Sequence, residues 1–178
     1  SRTRFNPEQE FRLVLVIEKD KSDLSRTVAK VQRLMARDDQ QSFWNTPDGV
    51  YYGSGAPEGK LAVIFPGQGS QYVGMQRDLA CHFPQMHQVL AQADRTFENG
   101  EVILPKEAGN LGRLTDIVYP QPSFSDEDRY NKEKALRATQ VTQPAIGAVS
   151  LGVFKILEYF GVQPQALAGH SFGELTAL

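Results

Sequence analysis

The sequence contains little that would support a disulfide-rich, nucleic-acid-binding or membrane-spanning protein. Its 178 residues include a single cysteine, Cys81, so neither a disulfide within the chain nor a cysteine zinc cluster can form. The 19 Lys and Arg residues are offset by 21 Asp and Glu residues, and the net charge of -2 gives no field that would attract nucleic acid or an anionic membrane. The longest apolar runs, at 13–17 and 61–65, are far too short to cross a bilayer. We therefore expect a cytoplasmic protein with no nucleic-acid or membrane partner.

The residues that are present have the composition of a globular protein. Hydrophobic residues make up 40% and charged residues 22% of the chain, and its 15 glycines and 10 prolines are too few for a collagen-like or low-complexity class. The length suits one domain or two small ones. The chain begins with Ser1 rather than Met and reaches Leu178 within the pattern of a helix, so we expect a fragment of a larger protein.

The first 59 residues predict a small strand-helix-strand element. Alternating apolar side chains over 11–17 indicate a strand, and apolar residues at helical spacing after Ser22 or Asp23, either of which can cap a helix, indicate a helix. A short strand follows at 50–52, and the glycines and proline of 53–59 are typical of a linker. We place a domain boundary at the end of this linker.

The remaining residues predict an α/β fold, in which helices flank a parallel sheet. Strands of such a sheet read as short continuous apolar runs, and the helices between them carry apolar residues at three- and four-residue spacing. The predicted elements are a buried strand at 61–65, a helix at 84–99, a surface excursion with some helix at 105–137, a helix from Pro144 to Gly161, a short strand at 166–168 and a final helix at 174–178.

The segment Gly169-His170-Ser171-Phe172-Gly173 has the G-x-S-x-G form of a nucleophile elbow. In such a turn a serine lies between a strand and a helix, and side chains two residues before or after it would clash with the backbone, which explains the glycines. The following helix also directs N–H groups towards an oxyanion that forms at the serine. The alternative from these residues is a glycine-serine turn that only joins a strand to a helix.

No residue of the chain is evident as the base that would activate this serine. A serine hydroxyl is a weak nucleophile until a base removes its proton, and the chain offers three histidines. His170 is adjacent to Ser171, and because adjacent side chains at a sharp turn point apart, we expect it to be a structural hydrogen-bonding residue. We also expect structural roles for His82 and His87 at the start of a helix. In the common chain order the histidine follows the serine.

A second glycine-containing loop, 66–71, follows the predicted strand at 61–65. The dinucleotide pattern G-x-G-x-x-G fails here, because Tyr72 stands three residues after Gly69. A loop at the carboxyl edge of a parallel sheet can instead lend a backbone N–H to an oxyanion hole beside a neighbouring elbow. A plain glycine-rich connection is the alternative.

Three motifs in order resemble the malonyl-CoA:acyl carrier protein acyltransferase family, over residues 60–178. They are the loop 65–71, the run Thr142-Gln143-Pro144-Ala145 and the segment 168–174. In that family a serine takes an acyl group from coenzyme A as an ester and passes it to the phosphopantetheine thiol of a carrier protein. The resemblance implies a partial α/β-hydrolase-like sheet, malonyl-CoA as substrate, and neither a metal nor a permanently bound cofactor.

The resemblance also implies roles for individual residues. Ser171 would be the catalytic nucleophile, and the backbone N–H groups of Gln68 and Phe172 would form the oxyanion hole. Gln143, Gly67 and His170 would line the substrate pocket. The apolar Phe172 after the serine resembles malonyl-selective members of the family.

The segment 1–59 resembles the linker between ketosynthase and acyltransferase domains of modular synthases. The ketosynthase domain and an acyl carrier protein domain would then be the partners of this chain, and residues 60–178 would be the first part of the acyltransferase domain. The runs at 118–120, 122–127 and 169–178 look most like bacterial polyunsaturated fatty acid synthases of the PfaA type, with other iterative polyketide synthases as the alternative.

Two family residues have no counterpart in this chain. The arginine that pairs with the malonyl carboxylate and the general-base histidine both follow the elbow in the family, so we expect the isolated chain not to turn over. Two other readings stay open. One is a serine esterase of the α/β-hydrolase type, which shares the elbow, and the other is a non-catalytic structural segment of a synthase.

Overall fold

A computed structural model of the chain describes residues 9–36, 42–55, 59–99 and 112–178. The chain divides into two compact units, Ser1–Gly59 and Lys60–Leu178. The first contains β1 (Phe11–Leu15), α1 (Leu24–Met35), β2 (Phe43–Thr46) and β3 (Val50–Ser54). The second contains β4 (Ala62–Phe65), α2 (Arg77–His82), α3 (Pro84–Asn99), α4 (Leu114–Val118), α5 (Asp126–Arg137), α6 (Thr139–Tyr159), β5 (Ala166–Gly169) and α7 (Phe172–Ala177).

The first unit contains a three-stranded antiparallel sheet in the order β1-β3-β2. The predicted strand-helix-strand element was therefore wrong by one strand, because β2 was not anticipated. A tight turn joins β2 to β3: Gly49 has a φ of 83° and its N–H donates to the Thr46 carbonyl at 3.1 Å. The sequence Pro47-Asp48-Gly49 is a recognised turn signature and could have indicated this hairpin.

Other boundaries of the first unit differ by a few residues. β3 runs to Ser54, so the beginning of the predicted linker belongs to a strand, and β1 ends at Leu15 rather than at residue 17. Asp23 caps α1, because its carboxylate accepts a hydrogen bond from the Arg26 N–H at 3.0 Å. That bond decides between the two predicted caps, Ser22 and Asp23.

In the second unit β4 and β5 pair in parallel, as expected. The register places Ala62 opposite Ala166 and Phe65 opposite Gly169, so the loop after β4 and the turn after β5 meet at one edge. Phe65 is buried, and the Phe154 ring of α6 packs edge-on against it. The prediction of a buried strand was wrong for Ile64, which is 72% exposed, because this sheet has two strands in the described residues.

The core of the second unit lies mainly between α3 and α6. α3 begins at Pro84 as predicted, and Met86, Leu90 and Phe97 are buried. α6 begins at Thr139 and not at Pro144, so the predicted start was wrong. Its first turn closes before the proline, because the N–H groups of Val141 and Thr142 both donate to the Ala138 carbonyl at 2.8 Å.

The region 105–137 is less peripheral than expected, although the structure does not describe its residues before 112. α4 buries Leu114, Ile117 and Val118 in the core, so the prediction of a surface excursion was wrong there. α5 carries the charged residues and lies largely at the surface. Asp94 of α3 holds the start of α4, since its carboxylate accepts from the N–H and the hydroxyl of Thr115 at 2.9 and 2.6 Å.

Candidate active site

Ser171 lies at a sharp turn between β5 and α7. β5 ends at Gly169 and α7 begins at Phe172, two residues earlier than predicted. The backbone of Ser171 has φ 55° and ψ -122°, a conformation that residues other than glycine rarely adopt. Its side chain is exposed. The strand-turn-helix context expected of a nucleophile elbow is therefore present, together with local backbone strain.

Gly169 and Gly173 are required by the close approach of backbone segments at this turn. A Cβ atom at Gly169 would collide with the backbone of Gly173 and Glu174. A Cβ atom at Gly173 would lie 2.7 Å from the carbonyl carbon of Phe65, 2.8 Å from the Pro66 carbonyl oxygen, and closer still to the Phe65 oxygen. The steric reason inferred from the sequence thus applies to both glycines.

The loop that follows β4 packs directly against the elbow. A Cβ atom at Gly67 would collide with the His170 carbonyl oxygen and would lie 2.9 Å from the Cβ of Ser171. The His170 N–H donates to the Phe65 carbonyl at 3.0 Å, which ties the turn to the end of β4. The hydroxyl of Ser70 donates to the Gly67 carbonyl at 2.9 Å and braces the loop. The structure therefore brings Gly67, His170 and Ser171 together.

The backbone N–H groups of Gln68 and Phe172, close to Ser171, have no acceptor among the residues that the structure describes. At the start of α7, the N–H groups of Gly173 and Glu174 donate to the carbonyls of His170 and Ser171 at 2.9 and 3.0 Å, which leaves the N–H of Phe172 unused. In the loop after β4 the N–H of Gln68 is likewise unused within the described ranges. Both groups belong to exposed or half-buried residues beside the turn, where the oxygen of a substrate could accept a hydrogen bond from each.

Gln143 lies near the start of α6. It is half-buried and stands four residues, about one helical turn, before Gly147. A Cβ atom at Gly147 would lie 3.0 Å from the Phe172 ring, so this face of α6 is turned towards α7. The described residues record no hydrogen bond between Gln143 and the elbow. Sequence analysis missed Gly147, although an isolated glycine within a helical pattern is a signal of close packing.

No hydrogen bond joins a histidine side chain to the Ser171 hydroxyl in the described residues. His170 is exposed, and its Nδ1 faces the position of Gly67. His82 makes a hydrogen bond through Nδ1 with the Asp78 carbonyl at 2.6 Å, which fits the structural role expected of it. His82 and His87 line a separate groove with Cys81.

The described residues contain neither a grouped set of metal-binding side chains nor a membrane-spanning helix. Within them, no three His, Cys, Asp or Glu side chains are grouped so that they could hold a metal ion. No helix among them combines the length and apolar character needed to cross a membrane.

Residues 62–178 match the family described as the acyl transferase domain, and this chain belongs to that family. It is 31% identical over 163 residues to a polyunsaturated fatty acid synthase subunit from Thraustochytrium sp., a match that covers 90% of this chain and 6% of that protein. The family resemblance inferred from the sequence motifs is thereby confirmed.

Solved structures of acyltransferases are also similar to this chain. The acyltransferase domain from the second module of the salinomycin polyketide synthase superposes with a TM-score of 0.62 at 28% identity, covering 94% of this chain and 32% of that chain. The malonyl CoA-acyl carrier protein transacylase from Coxiella burnetii superposes with a TM-score of 0.52 at 31% identity, covering 67% of this chain and 31% of that chain. The chain thus spans about a third of the solved acyltransferases that it resembles, and the mixed α/β character is confirmed.

Proposed function

We propose that this chain carries the nucleophile of an acyltransferase that moves a malonyl group from coenzyme A to an acyl carrier protein. Ser171 accepts the malonyl group as an ester, and the phosphopantetheine thiol of the carrier protein removes it. The observation that carries this proposal is the exposed Ser171 in its strained turn, with the unused N–H groups of Gln68 and Phe172 beside it. Membership of the acyl transferase domain family and the transacylase activity named for the Coxiella burnetii relative support it.

The reaction has two balanced steps. In the first, Ser171 Oγ bonds to the thioester carbonyl carbon, the carbon-sulfur bond breaks, and the proton of the hydroxyl passes through a base to the coenzyme A sulfur. In the second, the phosphopantetheine sulfur bonds to the ester carbonyl carbon, the carbon-oxygen bond to Ser171 breaks, and the thiol proton passes through a base to Ser171 Oγ. Each step passes through an oxyanion, which the N–H groups of Gln68 and Phe172 would stabilise. Gln143, Gly67 and His170 would line the pocket for the acyl group.

The larger setting that we infer is a multidomain synthase. Residues 1–59 would join a ketosynthase domain to the acyltransferase domain. Residues 60–178 would be the first part of that acyltransferase domain. Its sheet would be the beginning of an α/β-hydrolase-like core. The 90% coverage of this chain by the polyunsaturated fatty acid synthase relative supports this, because the match includes residues before the family match begins at residue 62. The ketosynthase and carrier protein domains would be the partners, in the cytoplasm.

The test is an intact-mass measurement of the full-length protein before and after brief exposure to malonyl-CoA, with peptide mapping of the adduct. We expect a malonyl ester on Ser171, transfer of the label to added carrier protein, and neither event in Ser171→Ala. Ser171→Gly serves as a folding control, because glycine adopts the positive φ of this position without strain. An ester on another residue, or hydrolysis of a simple ester without transfer, would refute the proposal.

A variant at the loop after β4 separates backbone from side-chain roles. Gln68→Ala keeps the backbone N–H, so we expect it to retain most of the transfer activity that Ser171→Ala loses. Equal loss in the two variants would contradict the assignment of the Gln68 N–H to the oxyanion hole. A wild-type protein that gains no ester would leave only the structural, non-catalytic reading.

A further inference from the structure

α6 and α7 approach each other through a glycine. A Cβ atom at Gly147 would lie 3.0 and 3.8 Å from Cε1 and Cζ of the Phe172 ring and 3.6 Å from the Thr176 hydroxyl. Gly147 and Phe172 line one groove of about 470 Å³, which also includes Pro144 and Leu175. A methyl group at position 147 would therefore crowd the Phe172 ring, which would have to move by a few tenths of an ångström, and a larger side chain would displace it further.

This glycine has a cost in the helix that contains it. Glycine within a helix is about 0.5–1 kcal/mol less favourable than alanine, because it loses more backbone freedom on folding. α6 runs 21 residues, and Gly147 lies well inside it. Its absence of a side chain is thus not explained by local helix formation, and the contact with Phe172 supplies the reason.

The second glycine of the same helix provides a comparison. A Cβ atom at Gly152 would lie 2.8 Å from the Cγ of Met86, a buried residue of α3. Gly152 therefore packs in the core between α3 and α6, whereas Gly147 packs against the first residue of α7. Only the contact at Gly147 involves a residue of the elbow.

The start of α7 is held from two sides. On one side the backbone of Gly173 lies against the carbonyls of Phe65 and Pro66, where not even a methyl group fits. On the other side the Phe172 ring lies against Gly147. A larger side chain at position 147 would push on a segment that cannot retreat towards β4, so we expect part of the displacement to pass from the Phe172 ring to its backbone and to the direction of its N–H.

We propose that Gly147 is a positioning residue of this acyltransferase site, which fixes the Phe172 N–H relative to Ser171 by leaving room for the Phe172 ring. This inference rests on the proposed function, since it assigns the N–H of Phe172 to the oxyanion. Gly147 would affect the stability of the transition state, in which the oxyanion carries charge, more than the binding of the ground-state thioester.

The experiment measures the rate of Ser171 acylation in the full-length protein, by rapid quench and intact mass over a range of malonyl-CoA concentrations. We expect a graded loss in which Gly147→Ala slows the saturating rate about 2- to 5-fold and Gly147→Leu slows it at least about 10-fold. The half-saturating concentration should change by less than about 3-fold. Each variant is first shown to be folded by circular dichroism, and Gly147→Ala keeps the test valid if the leucine variant does not fold.

A second substitution distinguishes positioning from general destabilisation. Phe172→Ala removes the ring and leaves the N–H, so adding Gly147→Leu to it should lower the rate by less than about 2-fold relative to Phe172→Ala alone. Gly152→Ala is the matched control, because it adds a methyl group to the same helix towards α3. Its acylation rate should stay within about 2-fold of wild type even where its thermal midpoint shifts.

The inference is overturned if Gly147→Leu acylates at the wild-type rate, if removal of the Phe172 ring does not relieve the effect, or if Gly152→Ala slows acylation as much as Gly147→Ala. In each of these outcomes wild-type protein still forms the Ser171 ester, so the proposed function stands. Wild-type protein that forms no ester refutes the proposed function, and this inference with it.

Discussion

Replacement of Gly173 by alanine tests the steric account of the elbow most directly. The new methyl group would lie 2.7 Å from the carbonyl carbon of Phe65 and 2.8 Å from the carbonyl oxygen of Pro66, and closer to the Phe65 oxygen. These are backbone atoms of β4 and its loop, and they cannot rotate away as a side chain would. The start of α7 must therefore move away from β4 by about 1 Å to restore an ordinary non-bonded contact of about 3.5–4.0 Å.

The expected loss follows from that displacement. A misplacement of about 1 Å at a reacting centre can cost about 100-fold in rate, and loss of one oxyanion donor costs about 100- to 1,000-fold. Overpacking of this kind also destabilises a protein by about 1–3 kcal/mol. We therefore expect Gly173→Ala to slow acylation of Ser171 at least about 100-fold and to lower the free energy of unfolding by that amount.

The assay is acylation by malonyl-CoA followed by intact mass, with urea unfolding of the same samples. Gly112→Ala is the control, because a Cβ atom there meets nothing within 4 Å, and its stability should stay within about 0.5 kcal/mol of wild type. A Gly173→Ala protein that acylates and unfolds like wild type would refute the argument that the elbow depends on this backbone contact.

Two further predictions concern hydrogen bonds away from the elbow. Asp94→Ala removes the acceptor of the Thr115 N–H at the start of α4, so we expect urea unfolding to show a free energy of unfolding lower by about 1 kcal/mol. Asp94→Asn keeps an oxygen acceptor and should lose less, and equal losses in the two variants would contradict the role of this hydrogen bond. The Lys30 ammonium, 2.6 Å away, lowers the pKa of Asp48 from 3.8 to about 2. The unfolded chain then binds more protons, so this stabilisation is complete above pH about 4 and is lost as the pH falls towards 2. In Lys30→Met an NMR titration of Asp48 should show a higher pKa, and an unchanged midpoint would refute the pairing.

The elbow was predictable because its sequence signature is local. Gly169, Ser171 and Gly173 stand within five residues, and Gly169 is required by the backbone of Gly173 and Glu174 close by. The contact of Gly173 with the distant β4 segment could not be read from that signature. The parallel pairing of β4 with β5 followed from two short apolar runs ahead of glycine loops. The catalytic role of Ser171 stays a prediction, as do the oxyanion-hole and pocket roles of the other site residues, Gln68, Phe172, Gln143, Gly67 and His170.

Elements without a local start signal were missed. α2 has only six residues, and its N-cap, Gln76, has a positive φ and no capping side-chain hydrogen bond. α4 has five residues and takes its cap from Asp94, which is 21 residues away. The start of α6 was misplaced because Pro144 favours the first turn of a helix, whereas hydrogen bonds to the Ala138 carbonyl begin the helix earlier.

Gly147 shows a different limit of sequence reasoning. Its spacing from Gln143 marks a common helix face, but nothing in the local pattern says that Phe172 packs there. The contact joins residues 25 positions apart and depends on how α6 and α7 cross. Only the three-dimensional structure provides that information.

The pairing of β4 with β5 would also determine when Ser171, the proposed nucleophile, becomes reactive during folding. The Leu61 N–H donates to the Gln165 side chain at 2.7 Å across 104 residues, so the two strands close a long loop. Closing about 100 residues costs on the order of 4 kcal/mol of chain entropy, which later contacts must repay. Before closure, Phe65 and Gly67 are not in place against residues 170–173, and Ser171 has the reactivity of any exposed serine. On the proposed function, acylation of Ser171 would therefore report completion of this long-range contact.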